Sequence, residues 1–220
     1  MSRKIPRALE PAGIVLLDKP AGISSFAAIA ELRRTTGART GHAGTLDPFA
    51  TGLLVVLSGS ATRLAPSFVK LDKRYVTDID LTATTSTGDP EGEVVEAHEA
   101  PKPEELEERL EALRGEIELP IPAASAVKIG GERAYRLHRR GVAVEMPLRR
   151  SRVDSLDVVG STAETVTLDL RVGSGTYIRA IAAALGGHCR TLRRTEVGPF
   201  SVEEAGSRVI PSDEALARLA

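Results

Sequence analysis

The sequence predicts an α+β fold in which strands and helices are mixed without regular βαβ alternation. Two stretches alternate apolar and polar residues as half-buried strands do: RYVTDIDLTAT over about 73–83 and TVTLDLRV over 165–172. A third stretch, PEELEERLEALRG from Pro103, repeats leucine at helical spacing instead. No sequence repeat or long linker interrupts the chain, so we expect one domain over residues 1–220.

The N-terminal quarter contains one predicted strand and one predicted helix. GIVLLDKP, from Gly13, is a short apolar run typical of a buried strand that leaves into a loop. Ser24 and Ser25 can cap a helix over about 25–36, which a glycine then ends. Residues 38–52 show no clear periodicity and precede the apolar run LLVVLSG, so they are expected to form a loop between packed elements.

The remaining elements follow from the same periodicities. Strands are expected at about 93–97, 150–159 and 197–204, and the helix from Pro103 is expected to end at Gly115. GSGTYIRAIAAALGG begins as a glycine-flanked turn and continues as a helix of about ten residues. A short helix closes the chain.

The net charge of −1 conceals an uneven distribution. Residues 91–118 hold eleven acidic and three basic residues, a local charge of −8, which leaves +7 on the rest of the chain. Basic residues are densest over 128–152, where eight of them accompany only two acids. Such clustering suits contacts with phosphate, although a solvated surface explains it equally well on charge alone.

Nothing in the sequence predicts a secreted or membrane protein. No apolar run approaches the roughly 20 residues needed to cross a bilayer, and the N-terminal MSRKIPRALEPAG has no apolar signal-peptide region. The single cysteine, Cys189, cannot close an intrachain disulfide, and beside four scattered histidines it makes no zinc site. We therefore expect a cytoplasmic protein without a structural metal.

GHAGTLDPFATG, residues 41–52, surrounds a single acid, Asp47, with glycines and a proline. A carboxylate can act as a nucleophile, a general base or a metal ligand. Gly44 and Gly52 relax the limits on the backbone and Pro48 stiffens it, so the loop can aim the carboxylate in one direction. An aspartate before a proline more often only organises a turn. The motif alone leaves both interpretations open.

Other side chains can also carry chemistry, and each has a plainer structural explanation. Tyr75 can offer its ring to a base or fill the core. Arg179, in the GTYIR motif with Tyr177, can pair with a buried carboxylate or lie on the surface. Lys128 can bind phosphate or be solvated, and His42 can be an acid or base, a stacking group, or a residue held by its loop.

The order and wording of these motifs resemble the TruB family of tRNA pseudouridine synthases, over about residues 13–200. GHAGTLDPFATGLL at 41–54 is the most diagnostic of them. The others are DKPAGISS at 18–25, KRYVTDIDL at 73–81, TSTGDPEG at 85–92, SAVKIGGERAYRLHRRG at 125–141, SGTYIRAIA at 174–182 and LRRTEVGPF at 192–200. One motif of this kind is suggestive, and all of them in the family's order are specific.

The resemblance implies an isomerase that detaches uracil from C1′ of uridine, rotates it and rejoins it through C5. Asp47 matches the catalytic aspartate, Tyr75 the tyrosine that stacks on the extruded uracil, and Arg179 the arginine that pairs with the aspartate. The implied fold is the pseudouridine synthase fold, an α+β domain around a mixed, largely antiparallel sheet flanked by helices and loops. The chemistry implies no cofactor and no metal.

The resemblance also implies an RNA partner, the T-arm of tRNA, with uridine 55 as the target. His42 matches the histidine that enters the T-loop and holds the flipped nucleotides apart. The segment at about 122–152 corresponds to the family's mobile RNA-gripping segment. The further RNA-binding residues implied are Lys19, Lys128, Tyr177, Leu192, Arg139 and Arg140. No obligate protein partner is implied, and without a self-association stripe in the sequence we expect a monomer.

The chain departs from the family's pattern in places. Thr82 stands where the family usually has glycine, and Ala124 replaces an aromatic residue that would line the pocket or support the RNA loop. The sequence stops at Ala220, where most relatives continue into a small PUA-like RNA-binding domain. Either the protein is naturally short or the sequence is truncated, and in both cases tRNA affinity is expected to rest more heavily on the single catalytic domain. Two alternatives remain: a pseudouridine synthase acting on another RNA, and a noncatalytic RNA-binding or RNA-remodelling module.

Overall fold

The computed structural model describes residues 12–219, and most of the N-terminal stretch for which no signal-peptide region is predicted lies outside them. The strands of the described chain, β1 to β14 in order, are Gly13–Lys19, Thr40–Ala43, Thr51–Ser58, Lys73–Asp80, Ala83–Thr85, Val94–Ala97, Gly115–Pro120, Lys128–Ile129, Glu132–Arg133, Leu148–Ser161, Thr165–Val172, His188–Val197, Phe200–Ser201 and Val209–Pro211. The α-helices, α1 to α7, are Ser25–Ala28, Ala30–Thr36, Ala65–Val69, Pro103–Glu111, Ala134–Arg139, Ile178–Ala184 and Ser212–Ala217. Two 3-10 helices cover Gly59–Leu64 and Val202–Glu204.

The described chain divides into two compact units, and the boundaries fall within β4 and β12. Unit 1 runs up to Lys73 and resumes at Arg193, and unit 2 runs from Arg74 to Leu192. In unit 1 the strand order is β14, β1, β3 and the second half of β12, with β2 also paired to β3. The pairs of β1 with β14 and β3, and of β2 with β3, are antiparallel, whereas β3 and β12 are parallel.

The sheet of unit 1 is buried on both faces because alternate residues of β1 and β3 enter two separate cores. One core contains Ile14, Val55 and Phe68, and the other contains Val15 and Val56. β3 is apolar along nearly its whole length, as expected of a strand covered on both sides.

Gly52 allows β3 and β12 to approach each other. Its φ is +100°, a left-handed value that favours glycine, and a Cβ there would lie 2.2 Å from the carbonyl oxygen of Arg194. This position is therefore restricted to glycine by both backbone conformation and space.

Unit 2 is built on the first half of β12 followed by β4, β11, β10 and β7. β10 pairs antiparallel with β11 and β7, and the inward residues of β11 are fully buried while their neighbours are partly exposed. The acidic helix α4 is tied to the end of α6, because Arg109 Nη1 donates to the carbonyl oxygen of Leu185 at 2.7 Å.

The mixture of helices and strands confirms the α+β prediction, and β1, β11 and α4 lie where the sequence places them. The predicted helix over 25–36 is interrupted at Ile29, whose φ and ψ of −93° and −3° depart from helical values. The predicted strand over 197–204 is correct only in part: the long strand β12 ends at Val197, β13 covers Phe200–Ser201, and a 3-10 helix takes Val202–Glu204. The prediction of one domain over the whole chain stays a prediction. None of the helices within 12–219 is long and apolar enough to span a membrane.

Candidate active site

Asp47 lies in the loop between β2 and β3 of unit 1, and its side chain is half-buried. The carbonyl oxygen of Asp47 accepts a hydrogen bond from Ala50 N at 3.1 Å, which closes a tight turn around Pro48. Gly44 opens the loop with a φ of +91°. The backbone around the carboxylate is thus a turn. Side chains from other elements also form hydrogen bonds with this turn.

Lys19, at the end of β1, and Ser25, in α1, hold the loop of Asp47. Ser25 Oγ donates to the carbonyl oxygen of Leu46 at 2.9 Å and accepts from Leu46 N at 2.8 Å, so one hydroxyl satisfies both backbone groups of the residue before Asp47. The side chain of Lys19 is fully buried, and its Nζ donates to the carbonyl oxygens of Pro20, Ile23 and Pro48 at 2.8, 2.8 and 3.2 Å. Contact of Lys19 with RNA stays a prediction, and in this structure it connects two loops.

Arg194 holds the two ends of the loop. Its Nη2 donates to the carbonyl oxygen of Gly44 at 3.0 Å and its Nε to that of Leu53 at 2.7 Å. The side chain is 1% exposed, and no carboxylate within the described residues approaches it to ion-pair distance. A buried guanidinium without a carboxylate is costly, so its two carbonyl partners are essential to its stability.

A second cation, Lys73, is buried beside Arg194. Its Nζ donates to the carbonyl oxygen of Val69 at 2.6 Å and to that of Leu71. Burial, followed by the positive charge of Arg194, lowers the pKa of Lys73 from 10.5 to about 8, against the opposing effect of Asp72. Lys73 therefore ionises close to physiological pH, which is unusual for a lysine.

His42 lies in β2, and its ring is neutral at neutral pH. Burial and the charge of Arg194 lower its pKa below the ordinary 6.5. Its Nδ1 is buried and has no hydrogen-bond partner within the described part of the chain. A neutral, half-buried ring suits the stacking role that the family resemblance implies for His42, rather than that of a phosphate-binding cation.

Arg179 lies in the first turn of α6 in unit 2 and is 4% exposed. Its Nη1 donates to the carbonyl oxygen of Thr87 at 2.5 Å and lies 3.5 Å from Asp89 Oδ2, and its Nη2 donates to the carbonyl oxygen of Ala124 at 3.0 Å. One guanidinium thus joins α6 to two loops. Pairing of Arg179 with Asp47 stays a prediction.

Asp89 is the buried carboxylate of this network. Its Oδ1 accepts from Thr87 Oγ1 at 2.5 Å and from Glu91 N at 3.0 Å, and the residue is 4% exposed. Gly88 precedes it with a φ of +74°, and a Cβ there would approach that of Arg179 to 3.3 Å. The turn is therefore shaped around the arginine.

Three other predicted site residues lie in or beside the sheet of unit 2. Tyr75 in β4 and Leu192 in β12 are 8% and 7% exposed, so only a small part of each side chain is accessible to solvent. Tyr177 is the residue before α6, and the guanidinium carbon of Arg149 lies 5.9 Å from the centre of its ring. Their contacts with a substrate stay predictions.

The basic segment forms a small surface module from β8, β9 and α5. Lys128 is exposed. The guanidinium carbon of Arg139 lies 5.6 Å from the ring centre of Tyr135. Arg140 instead donates to both carboxylate oxygens of Glu132, at 2.8 and 2.9 Å. Arg139 and Lys128 are therefore more available to phosphate than Arg140.

Sequence reasoning missed Ser25, Arg194 and Asp89. Of the two serines that the sequence offers as helix caps, Ser24 takes that role by accepting from Ala27 N, and Ser25 instead binds the loop of Asp47. Asp89 and Arg194 each lie within a motif that carries the family resemblance, yet neither pattern shows what the side chain contacts. Among residues 12–219, no group of three or more His, Cys, Asp or Glu side chains is placed to hold a metal ion.

Comparison with known proteins identifies similar sequences. The family profile described as TruB family pseudouridylate synthase, N-terminal domain, matches residues 33–178. A protein named tRNA pseudouridine synthase B from Mycobacterium sp. (strain KMS) is 45% identical over 206 residues, which are 88% of this chain and 69% of that protein.

Solved structures support the predicted fold. The chain matches the crystal structure of a Cbf5-Nop10-Gar1 complex with a TM-score of 0.66 and 28% identity, over 87% of this chain and 50% of the other. It thus spans about half the length of that relative. A crystal structure of a pseudouridylate synthase matches with a TM-score of 0.51 at 16% identity, over 97% of this chain and 76% of the other, which bears on the fold alone. The predicted pseudouridine synthase fold is confirmed.

Proposed function

Because the chain belongs to the TruB family of pseudouridylate synthases, we propose that it is an isomerase that converts uridine to pseudouridine in tRNA. The reaction breaks the bond between N1 and C1′ and forms one between C5 and C1′, while C5 loses a proton and N1 gains one. It requires no oxidant, reductant or donated group. The observation that carries the proposal is Asp47, at the position of the family's catalytic aspartate, on a loop held by Lys19, Ser25 and Arg194.

Asp47 is the proposed catalytic carboxylate. A group that reacts with one atom of a substrate must be held in one direction, since small displacements lower the rate steeply. The hydrogen bonds to Gly44, Leu46 and Pro48 fix the backbone on both sides of the acid. A simple turn does not need hydrogen bonds from distant side chains, so these bonds support a loop that orients a catalytic group.

The substrate uridine must leave its stack, at a cost of about a few kcal/mol. Tyr75 is the proposed stacking partner of the extruded uracil, and His42 the residue that enters the RNA loop. Arg179 is the proposed ion-pair partner of Asp47. Its burial and its carbonyl partners support a fixed guanidinium of this kind.

The T-arm of tRNA is the proposed site, with uridine 55 as the target. The exposed cations Lys128 and Arg139 support binding of RNA phosphates, because neither pairs with a carboxylate within the described chain. Tyr177, Leu192 and Arg140 are proposed to contribute to the same binding. We also propose that the protein acts in the cytoplasm, as a monomer, without a cofactor or an obligate partner.

Mapping pseudouridine in unmodified transcripts after incubation with the purified protein tests the proposal. Chemical labelling should detect pseudouridine at position 55 of tRNA and none in a matched transcript with cytidine at that position. Modification of a ribosomal or messenger fragment but not of tRNA would favour another RNA as substrate. Binding of tRNA without any pseudouridine would favour the noncatalytic module.

A further inference from the structure

Phe26, in α1, is an exposed aromatic residue in a chain that has few. It is 60% exposed, whereas Phe68 and Phe200 are fully buried. One side of its ring is occupied, since the guanidinium carbon of Arg33 lies 4.6 Å from the ring centre. An exposed phenylalanine that retains this much free surface is available to a partner.

Arg33 is held in place behind the ring. Its Nε donates to Thr40 Oγ1 at 3.2 Å and its Nη2 to the carbonyl oxygen of Thr40 at 3.5 Å. Thr40 begins β2, the strand that carries His42. Arg33 is therefore fixed to β2, a strand of the candidate site, and packs against one face of the Phe26 ring.

The charge of this segment favours an anionic partner. Residues 23–39 contain Arg33, Arg34 and Arg39 but only one acid, Glu31. Glu31 lies 3.7 Å from Arg34, and no carboxylate of the described chain reaches Arg33 or Arg39 to ion-pair distance. A cationic surface with a free ring face matches unpaired nucleic acid, in which bases can stack and phosphates can bind.

The segment is attached directly to the catalytic loop. Gly22 N donates to the carbonyl oxygen of Pro48 at 2.8 Å, and Lys19 Nζ donates to the carbonyl oxygens of both Ile23 and Pro48. Ser25, the neighbour of Phe26, binds both backbone groups of Leu46. The ring is therefore fixed relative to Asp47.

We propose that Phe26, backed by Arg33, is a stacking platform for an unpaired base of the RNA substrate, close to the nucleotide on which Asp47 acts. The inference rests on the proposed function, since it requires an RNA loop as the substrate. Stacking on a phenylalanine accepts any base, so the platform contributes affinity and position rather than sequence specificity.

Replacing the ring tests its contribution to affinity. Phe26→Ala should raise the Kd for an unmodified tRNA transcript about fivefold or more, whereas Phe26→Tyr should keep it within about twofold of the native value. The matched control is Val95→Ala, at a residue that is 69% exposed but lies in the acidic stretch, where RNA is not expected. Because both residues are exposed, these variants should fold, which circular dichroism checks.

A fluorescent reporter tests stacking itself. The chain contains no tryptophan, so Phe26→Trp introduces a single one, which can be excited selectively over the three tyrosines. Saturating tRNA should quench its emission, and should leave the emission of Val95→Trp unchanged. An unchanged Kd for Phe26→Ala, or unchanged emission of Phe26→Trp with RNA bound, would overturn the platform. The native protein would still form pseudouridine in that case, so this failure is distinct from failure of the proposed function.

Discussion

The two units hold their key side chains by different chemistry. In unit 1 the loop of Asp47 is fixed by side chains that bind backbone groups, and Arg194 is buried without a carboxylate partner in the described chain. In unit 2 the guanidinium of Arg179 is buried with Asp89 beside it, at 3.5 Å. Unit 1 therefore depends on hydrogen-bond geometry, and unit 2 on compensation of a buried charge as well.

This difference changes what a substitution does. Losing a carboxylate beside a buried arginine removes a neutralising charge from a group that stays buried, which is more costly than losing one hydrogen bond. Replacing Arg194 instead removes a buried charge together with its desolvation cost, which partly offsets the loss of two hydrogen bonds. Unit 2 should be the more sensitive in stability, and unit 1 the more sensitive in the rate of the reaction at the Asp47 loop.

Asp89→Ala should have the largest effect on stability. We expect a loss of about 3–5 kcal/mol in the free energy of unfolding, because Arg179 would stay buried with one neutralising carboxylate fewer, and Thr87 Oγ1 and Glu91 N would lose their acceptor. Urea unfolding measures it, with Asp213→Ala, at a residue in α7 of unit 1, as the control. A loss below about 1 kcal/mol would show that the ion pair is not what stabilises Arg179.

Arg194→Gln should destabilise the protein less and slow the reaction more. Gly44 and Leu53 would lose their donor, at an expected cost of about 2–3 kcal/mol, while kcat should fall more than KM rises because the loop of Asp47 loosens. The control is Arg193→Gln, whose arginine is partly exposed and pairs with Asp18 at 2.8 Å. Its stability should change by less than about 1 kcal/mol. Equal effects of the two variants on kcat would contradict the role of Arg194.

Lys73 should make stability depend on pH. Its pKa is lowered to about 8 in the folded protein, so between there and 10.5 the unfolded chain holds a proton that the folded one lacks. The free energy of unfolding therefore rises with pH across this window. Between about pH 8 and pH 10, the free energy of unfolding of the native protein should rise by about 1–2 kcal/mol relative to that of Lys73→Met. Urea unfolding at both pH values checks the difference, and a constant difference would contradict it.

Arg139 and Arg140 should show the smallest effects. The slope of log Kd for tRNA against log salt concentration reports the number of phosphate contacts. Arg139→Ala should reduce this slope by nearly the amount of one contact. Arg140→Ala should reduce it less, because Glu132 already binds that side chain. Measuring the Kd across a salt series separates the two. The same slope for Arg140→Ala as for Arg139→Ala would mean that Glu132 releases its arginine to RNA.

The sequence predicts the elements whose apolar residues alternate or recur at helical spacing. β1, β11 and α4 are of this kind. β12 was missed because its sequence, HCRTLRRTEV, is largely polar, although Arg194 in it is buried. Burial of an arginine depends on carbonyl oxygens brought from distant parts of the chain, and no local pattern records these.

The candidate site divides in the same way. The motif around Asp47 marks the acid, since glycine and proline leave a local signature. Ser25 binds a residue 21 positions away and Arg194 binds one 150 positions away, so these hydrogen bonds are evident only in the folded chain. Asp89 lies in the turn-rich stretch TSTGDPEG, and such a stretch does not show which buried cation its carboxylate will meet.

Conversion of tRNA by Asp47→Asn tests the central claim most directly. The substitution keeps the size of the side chain but removes its charge, and the hydrogen bonds from Lys19, Ser25 and Arg194 should keep the loop in place. We predict that the variant binds unmodified tRNA with native affinity and forms no detectable pseudouridine. Substantial residual pseudouridine formation would contradict the assignment of Asp47 as the catalytic carboxylate.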